Sequence, residues 1–413
     1  MRIAVISSQH PPVSCPEGIH TAMLCRQLAA RAQDVHLLTS VGVDKPTGPY
    51  ELHDIIPRWN WRAVPQLMTA LRNIQPDVVL LIWLDWIYEN GHPMITHLPR
   101  YCRRVLPHSQ FFTMFENIAA PKQYWTRSRR RRALLTYARS LLCAQPTDIL
   151  YGDLLRQSDG VITLCQAHRE HFASRHHSVH CKSVVIPAPP LLNILNDGDG
   201  RYRELGRRTL GFAADQIVLV FFGFLYEMKG VETLLRALHL CRDAQPGLKL
   251  VFVGGLAPNC EHYFRCLKEL EKQLDLSDRI IWTGKFDPEA ETASTLLHAA
   301  DICVLPFNGG LKLHNSSFAV ATCHGLPVLS TLPSQLEPQF RHGSNVYLVP
   351  PKDPQRMAQA LLLLARHPKL REQLRAGSLQ LAAEYFNWTK VMDDMIHFIE
   401  SVSDRYGHAL SSS

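Results

Sequence analysis

Runs of consecutive apolar residues alternate along the chain with stretches whose apolar positions recur every three to four residues. The run at 77–84, DVVLLIWL, lacks the strict apolar–polar alternation of a half-exposed strand, which predicts a strand buried on both faces of a parallel sheet. The stretch at 19–31, IHTAMLCRQLAAR, has helical spacing and lies between two such runs. In the first part of the chain the predicted strands are 2–7, 35–41, 77–84, 110–115, 160–164 and 183–187, and the predicted helices are 19–31, 63–73 and a segment from 165.

A second alternation of the same kind follows the segment 188–200, APPLLNILNDGDG, whose Pro, Asn, Asp and Gly content indicates a domain boundary. From 353 onward the pattern is mostly helical. We therefore predict two doubly wound α/β domains in tandem, 1–188 and 189–387, followed by a C-terminal helix at 388–413. In the second domain the predicted strands are 217–224, 249–255, 279–284, 301–307, 327–331 and 345–350, and the predicted helices are 231–243, 261–273, 288–300 and a segment from 316.

The composition is that of an ordinary folded protein, because 46% of the 413 residues are apolar and 20% are charged. The net charge of +7 favours anionic ligands or a membrane surface over extensive nucleic-acid contact. Eleven cysteines without a C-x-x-C pair favour a reducing compartment. The first residues, MRIAVISSQHPP, have a strand pattern rather than that of a signal peptide, and the longest apolar run is too short to cross a membrane. We expect a cytoplasmic protein.

Candidate phosphate-binding residues lie where strands of the second domain are predicted to end. The chain has neither G-x-G-x-x-G after a strand nor a P-loop, which argues against a dinucleotide oxidoreductase and a P-loop NTPase. In FFGFLYEMKGVETLLRAL, Lys229 follows a strand and precedes a helix, at the edge where open α/β sheets bind their ligands. Its ammonium is a candidate point charge for phosphate, and the alternative is a solvated lysine at a helix start.

The segment LPFNGGLKLHNSSFAVATCHGLPVLST predicts strand, glycine loop, helix and strand in turn. Gly309 and Gly310 let the backbone approach a ligand closely. Ser316 or Ser317 as the N-cap leaves free N–H groups and the positive end of the helix dipole facing the loop. Together these features predict a diphosphate cradle, and the alternative is a plain serine cap after a turn.

These segments, in this order, resemble glycosyltransferase family 4, which are retaining enzymes of the GT-B fold. The resemblance covers nearly the whole chain: PEGIHTAMLCRQLAARAQDVHLLT is similar to the family's glycine loop and first helix, and the two segments above are similar to its donor domain. The closing helix YFNWTKVMDDMIHFIESV looks like the one that crosses back to the N-terminal domain. The resemblance implies two Rossmann-like domains that face each other across a cleft.

The resemblance also implies a reaction and a set of site residues. The expected reaction transfers a sugar, with retention, from a nucleotide-sugar to a sugar, lipid-linked or small-molecule acceptor, and it needs neither a cofactor nor a metal. Lys229 and Glu116 are the expected catalytic residues. The expected ligands of the donor phosphates are Gly18, Lys229, Gly309, Gly310, Ser316 and Ser317, and those of the nucleotide base are Gly284, Lys285 and Phe286.

Several positions depart from the family pattern. The two glutamates of the E-x7-E motif fall on Lys312 and Val320, the phosphate-binding arginine falls on Phe224, and the N-terminal-domain histidine falls on Phe115, beside Glu116. A divergent branch of the family also lacks the glutamates, although it has an acidic residue where this chain has a glycine after Asn308. Two alternatives therefore stay open: a non-catalytic GT-B subunit that binds a partner or nucleotide, and a nucleotide-sugar epimerase or phosphorylase of the same fold.

A basic stretch, TRSRRRRALLTYARSLL, follows Tyr124 and Trp125. Its arginines between Arg127 and Arg139 predict peripheral contact with an anionic membrane at the cytosolic face, as suits a lipid-linked acceptor. The alternative is a solvated helix face. Nucleic acid is not an expected partner, because the rest of the chain is not basic.

Overall fold

The computed structural model describes residues 1–12, 15–43, 48–89, 92–119, 148 and 150–411, with side chains as far as residue 404. The chain divides into two compact units, the first made of Met1–Ile186 with Met392–Ser413 and the second of Pro187–Val391. Each unit contains one parallel sheet with helices packed against it. This confirms the prediction of two doubly wound α/β domains.

The first unit contains a seven-stranded parallel sheet in the order β3-β2-β1-β4-β5-β6-β7. Its central strand β4 is buried along its whole length, which explains its unbroken apolar sequence VVLLIW. Strand β3 was not predicted, because this edge strand is half-exposed and carries polar residues such as Glu51 and Asp54. The strands are β1 (Arg2–Ile6), β2 (Asp34–Ser40), β3 (Glu51–Ile56), β4 (Val78–Trp83), β5 (Gln110–Phe115), β6 (Gly160–Thr163) and β7 (Ser183–Val185).

Helices cover both faces of this sheet. The first begins at Pro16, three residues earlier than predicted, because proline suits the first helical position and Cys15 caps the helix. Rings of Trp83, Phe115, Tyr151 and Phe172 pack together in the core beside the sheet. The helices are α1 (Pro16–Ala29), α2 (Ala63–Ile74), α3 (Leu98–Val105), α4 (Leu154–Gln157) and α5 (Gln166–Arg175).

The second unit contains a six-stranded parallel sheet in the order β10-β9-β8-β11-β12-β13. When the strands of this unit are renumbered from 1, beginning with β8, the order becomes 3-2-1-4-5-6, which is that of the Rossmann fold. The strand order therefore reverses between β8 and β11, and such a switch point is where ligands bind. The strands are β8 (Ile217–Phe222), β9 (Leu248–Val253), β10 (Ile280–Trp282), β11 (Ile302–Leu305), β12 (Val328–Thr331) and β13 (Tyr347–Val349).

A helix absent from the sequence prediction, Arg201–Leu210, follows the expected boundary segment. Asp301 holds it against the sheet, because this carboxylate accepts hydrogen bonds from Arg203 at 2.5 Å, from Arg207 at 2.7 Å and from the Val218 N–H at 2.8 Å. The helices of this unit are α6 (Arg201–Leu210), α7 (Val231–Leu240), α8 (Glu261–Gln273), α9 (Glu291–His298), α10 (Ser316–Cys323), α11 (Pro354–Arg366) and α12 (Pro368–Leu381).

The last helix, α13 (Trp388–Ser411), leaves the second unit and packs on the first from Met392 onward. The Phe398 ring meets the Phe112 ring edge to face at 5.9 Å, and Ser403 Oγ donates to Gln110 Oε1 at 2.7 Å. Within the part of the chain that the structure describes, no helix combines the length and apolar character that a membrane crossing requires.

Candidate active site

Lys229 lies at the switch point of the second sheet, in the turn Glu227–Lys229 between β8 and α7. Its side chain is buried, with Nζ donating to Ser317 Oγ at 3.3 Å and lying 4.8 Å from the centre of the Phe307 ring. Among the described residues no carboxylate pairs with this ammonium. Burial lowers the pKa of Lys229 to about 8, because the charged form loses hydration and no carboxylate compensates that loss. Lys229 is therefore a buried cation without an anionic partner among the described residues.

Two glycines that the sequence analysis did not single out form the wall beside this ammonium. Gly223 and Gly254 directly follow β8 and β9, and both have positive φ angles, 125° and 152°. A Cβ on Gly223 would lie 2.6 Å from Ser317 Oγ and 3.6 Å from Lys229 Nζ, so a side chain at this position would crowd the hydroxyl that the ammonium contacts. The available signal was a glycine at the end of each of two neighbouring predicted strands, FFGF and VFVGG.

Two hydrogen bonds join the loop after β11 to the turn that contains Lys229. The Asn308 side chain donates to the Glu227 carbonyl at 2.7 Å, and the Asn308 N–H donates to the Met228 carbonyl at 3.0 Å. Gly310 has a φ of 77° and packs against the backbone of Pro333, where a Cβ would approach to 2.2 Å. A Cβ on Gly309 would meet nothing closer than 4.0 Å, so this stretch of backbone is open on one side. The structure thus brings the predicted glycine loop and lysine together.

The start of α10 corrects the predicted serine cap. Asn315 is the N-cap, and its side-chain oxygen accepts from the Lys312 N–H at 2.8 Å rather than from the helix. The first helical hydrogen bond runs from the Phe318 N–H to the Asn315 carbonyl at 2.8 Å. Ser316 and Ser317 are therefore the first two helical residues, and their N–H groups have no acceptor within the helix. The positive end of the helix remains at the site, but neither serine caps it.

The residues predicted to form the base pocket follow β10, at the same edge of the sheet. A β-bridge joins Gly284 to Gly254, and the Phe286 ring packs on the Phe222 ring at 5.3 Å. Lys285 lies beside Gly255, where a Cβ would approach its Cγ to 2.7 Å. Their contact with a nucleotide base stays a prediction.

The two positions of the missing glutamates have different surroundings. Val320 is fully buried within α10, and Lys312 is half-buried in the loop before it. A buried carboxylate, Glu337, accepts a hydrogen bond from the N–H of Leu313 at 3.2 Å. Burial raises the pKa of Glu337 to about 7, so this site contains a carboxyl group that titrates near neutral pH.

In the first unit, Glu116 directly follows β5 and is hydrogen-bonded to His20 Nδ1 on α1. Glu17 lies nearby, and burial together with the charge of Glu116 raises its pKa. Phe115 belongs to the core and packs on Phe172 at 4.3 Å. The carboxyl end of β5 thus presents an acidic group that a histidine orients.

Gly18 was predicted to lie in a loop under the donor phosphates; the structure corrects the loop, and contact with phosphate stays a prediction. It is the third residue of α1, and its N–H donates to the Sγ of the N-cap Cys15 at 3.3 Å. The N–H proposed for phosphate is therefore already bonded. The predicted membrane-binding stretch Arg127–Arg139 lies outside the described residues.

Two Rossmann-type units, with a buried ammonium, a helix start and glycine backbone at the switch point of the second, are the elements expected of a GT-B fold. Comparison with known families agrees: residues 216–367 match the family "Glycosyl transferases group 1". The chain therefore has a GT-B fold, as the resemblance to family 4 predicted, and part of its second unit is similar to glycosyl transferases group 1.

Curated relatives match over a limited length. A D-inositol 3-phosphate glycosyltransferase of Corynebacterium diphtheriae is 29% identical over 231 residues, which are 54% of this chain and 51% of the relative. One from Thermobispora bispora is 30% identical over 195 residues, 45% of this chain and 44% of the relative. The chain thus spans about half the length of the curated relatives it matches.

Solved structures match over nearly the whole chain and show the fold. Alr3699/HepE from Anabaena, in complex with UDP and glucose, has a TM-score of 0.71 and 16% identity, covering 97% of this chain and 100% of its own. Sucrose-phosphate synthase from Thermosynechococcus elongatus has a TM-score of 0.71 and 19% identity, covering 100% of both chains.

Proposed function

We propose that this protein is a glycosyltransferase that takes a sugar from a nucleotide-sugar and transfers it with retention. The observation that carries the proposal is the buried Lys229 ammonium, which has no carboxylate partner among the described residues and lies at the switch point of a group 1 domain. Burying a charge costs free energy, and an opposite charge that approaches it offsets most of that cost. The diphosphate of a nucleotide-sugar is such a charge.

The same groups suit the chemistry of the departing diphosphate. Negative charge grows on that group as the bond to the sugar breaks, and a preorganised cation in a dry site stabilises the transition state more than the ground state. Lys229 supplies the positive charge, while the N–H groups of Ser316 and Ser317, which have no acceptor within the helix, add hydrogen bonds and the helix dipole. The open backbone at Gly309 admits the diphosphate. We propose no further cofactor, since the nucleotide-sugar is itself a substrate.

The absence of both family glutamates favours a second candidate function, nucleotide binding without turnover. Val320 is fully buried and offers no group for a ribose hydroxyl. In that case the protein would be a binding subunit whose Lys229 still recognises the diphosphate. Turnover, rather than binding, separates the two candidates.

The test is a thermal-shift screen of the full chain against UDP, GDP, ADP and dTDP and their common sugar conjugates. Because Alr3699/HepE was crystallised with UDP and glucose, UDP-glucose is the first conjugate to assay. A nucleotide present at 100 times its Kd is expected to stabilise the protein by about 2.7 kcal/mol. A shift with slow release of free nucleotide from one conjugate supports the transferase, and a shift without release supports the binding subunit. No shift with any member of the panel contradicts both.

On the first unit, we propose that Glu116 contacts the acceptor and that His20 positions it. The pair is almost fully buried, so the carboxylate has one orientation. Glu116→Gln keeps the shape and removes the charge, and we expect kcat to fall about 100-fold, the lower end for a positioned acid–base group. The nucleotide-induced thermal shift is expected to stay at its wild-type value, because the diphosphate ligands belong to the second unit. Equal loss of nucleotide affinity and kcat would contradict this assignment, and Glu170→Gln, an exposed position on α5, is the matched control.

A further inference from the structure

Two histidines and a glutamate lie together in the first unit, in a place that the transfer reaction does not use. His36 is on β2, and Glu51 and His53 are on the edge strand β3. The parallel register pairs His36 with Glu51, and the two-residue period of a strand puts His53 on the same face. The site lies towards the amino-terminal ends of these strands, whereas the transfer residues follow carboxyl ends.

The separations of the three side chains are those of ligands around one metal ion. His36 Nδ1 is hydrogen-bonded to His53 Nε2 at 3.1 Å, a bond that a metal ion would replace, and it lies 3.4 Å from Glu51 Oε2; His53 Nε2 lies 3.6 Å from Glu51 Oε1. Zinc bonds nitrogen at about 2.0–2.1 Å and carboxylate oxygen at about 2.0–2.2 Å, so tetrahedral ligand atoms lie roughly 3.3–3.5 Å apart. The three observed separations bracket that value. All the candidate ligand atoms lie within 4.8 Å of one another.

A neighbouring carboxylate lies against the cluster. Asp34 Oδ1 lies 3.3 Å from His36 Nε2, and Asp34 Oδ2 accepts a hydrogen bond from Arg2 Nε at 2.6 Å. A carboxylate at the outer nitrogen is the usual partner of a metal-binding histidine, since it fixes the tautomer and makes the other nitrogen a better ligand. In this protein Asp34 lies at Nε2 of His36, and Nδ1 of the same ring faces His53 and Glu51. The histidines are largely buried, whereas the Glu51 side chain is 64% exposed, so water can take the fourth position.

We propose that His36, His53 and Glu51 bind one divalent transition-metal ion of the zinc type. Two imidazoles and one carboxylate are ligands that zinc prefers, and three protein ligands leave one position for water. The ion bridges β2 and the edge strand β3, which are neighbours in the strand order of the described residues. Its role is therefore to hold β3 in register, and it is independent of the proposed transfer reaction.

The experiment uses untagged full-length protein that has been stripped with EDTA and desalted. Zn²⁺ is titrated by calorimetry in the presence of a competing chelator, and Co²⁺ is titrated by visible absorption, because tetrahedral Co²⁺ absorbs strongly. We expect one site in the wild type, loss of that site in His53→Gln, and affinity about 10–100-fold weaker in Asp34→Asn, which removes the charge beside His36 and the ion pair with Arg2 but none of the three ligands. Asp54→Asn, an exposed position on the same strand, is the control and is expected to bind like the wild type.

The sequence contains 21 histidines, so adventitious binding must be separated from the site. Equal stoichiometry and affinity in the wild type, His53→Gln and Asp34→Asn would overturn the proposal. Far-ultraviolet circular dichroism of each variant checks that it is folded, and Asp34→Asn keeps the test decisive if His53→Gln does not fold. Zn²⁺ is also expected to raise the melting temperature of the wild type and not that of His53→Gln; no rise in the wild type contradicts the structural role.

Discussion

Replacing Lys229 with methionine is expected to abolish nucleotide binding while making the ligand-free protein more stable. Both effects have one cause, because the ammonium is buried without an anionic partner among the described residues. Methionine has a similar length and needs no hydration, so the free protein loses an unfavourable buried charge. The bound nucleotide loses the cation that its diphosphate requires. A lysine that merely contributed to the core would not show opposite signs in the two measurements.

The expected magnitudes are large enough to measure. Removing one preorganised group that stabilises developing charge lowers kcat/KM by about 100- to 1000-fold. Replacing a buried ion pair with apolar side chains of similar volume is often neutral or stabilising by about 1–4 kcal/mol, and we expect a gain within that range for the unpaired charge of Lys229. Lys272→Met, at an exposed position on α8, is the matched control and is expected to change neither quantity. A Lys229→Met protein with full nucleotide affinity would exclude the phosphate-binding role.

The pH dependence follows from the same lysine. Its pKa is about 8 in the folded protein and about 10.4 in an unfolded chain, so between these values the unfolded chain binds more protons. The unfolding free energy contributed by Lys229 therefore rises as the pH rises from about 8 to above 10, and is lowest below pH 8. The stability advantage of Lys229→Met is expected to be greatest at pH 7 and to shrink by pH 10. Urea unfolding of the wild type and Lys229→Met at pH 7 and pH 10 measures the difference in unfolding free energy. A difference that does not change with pH would show that it does not come from the Lys229 ammonium.

Replacing Gly254 with alanine is expected to destabilise the second unit by about 3 kcal/mol or more, from backbone strain and overpacking together. Gly254 has a φ of 152°, and a Cβ there would lie 2.1 Å from the carbonyl oxygen of Gly223. That oxygen belongs to backbone that cannot rotate away. Gly223 would therefore shift, and with it the wall beside the Lys229 ammonium.

The measurement is the urea midpoint of unfolding, with the nucleotide-induced thermal shift as a second readout. Gly247→Ala is the control, because a Cβ at Gly247 would meet nothing within 4 Å and its φ is not positive. The free energy of unfolding of Gly247→Ala is expected to lie within about 0.5 kcal/mol of the wild-type value. If Gly254→Ala unfolds like the control, the close approach of Gly223 and Gly254 is absent in solution.

Many of the strands and helices could be predicted from the sequence because they depend on patterns within a few consecutive residues. A parallel strand buried on both faces needs an unbroken apolar run, and β4 and β8 have one. Strand β3 has no such run, since an edge strand that is half-exposed obeys neither that pattern nor strict alternation. Helix α6 was missed because its ten residues are mostly polar and Asp301, almost a hundred residues away, holds its arginines.

The candidate site shows the same division between local and distant effects. Two features of the site are local and were predicted from the sequence. Lys229 lies in the turn between a strand and a helix, and two glycines precede α10. Which residue caps α10 depends on the turn that brings the Lys312 N–H to Asn315, and the cap is not a serine.

By itself, the sequence determined two doubly wound domains and the segments from which the donor site is built. Only the tertiary structure decided that Lys229 is buried against Ser317, 88 residues away, and that His20 meets Glu116, 96 residues away. It also placed His36 beside Glu51 and His53, since strand neighbours follow from sheet order. The physical reason is that burial and charge pairing depend on contacts between distant segments, whereas strand and helix patterns repeat within a few residues.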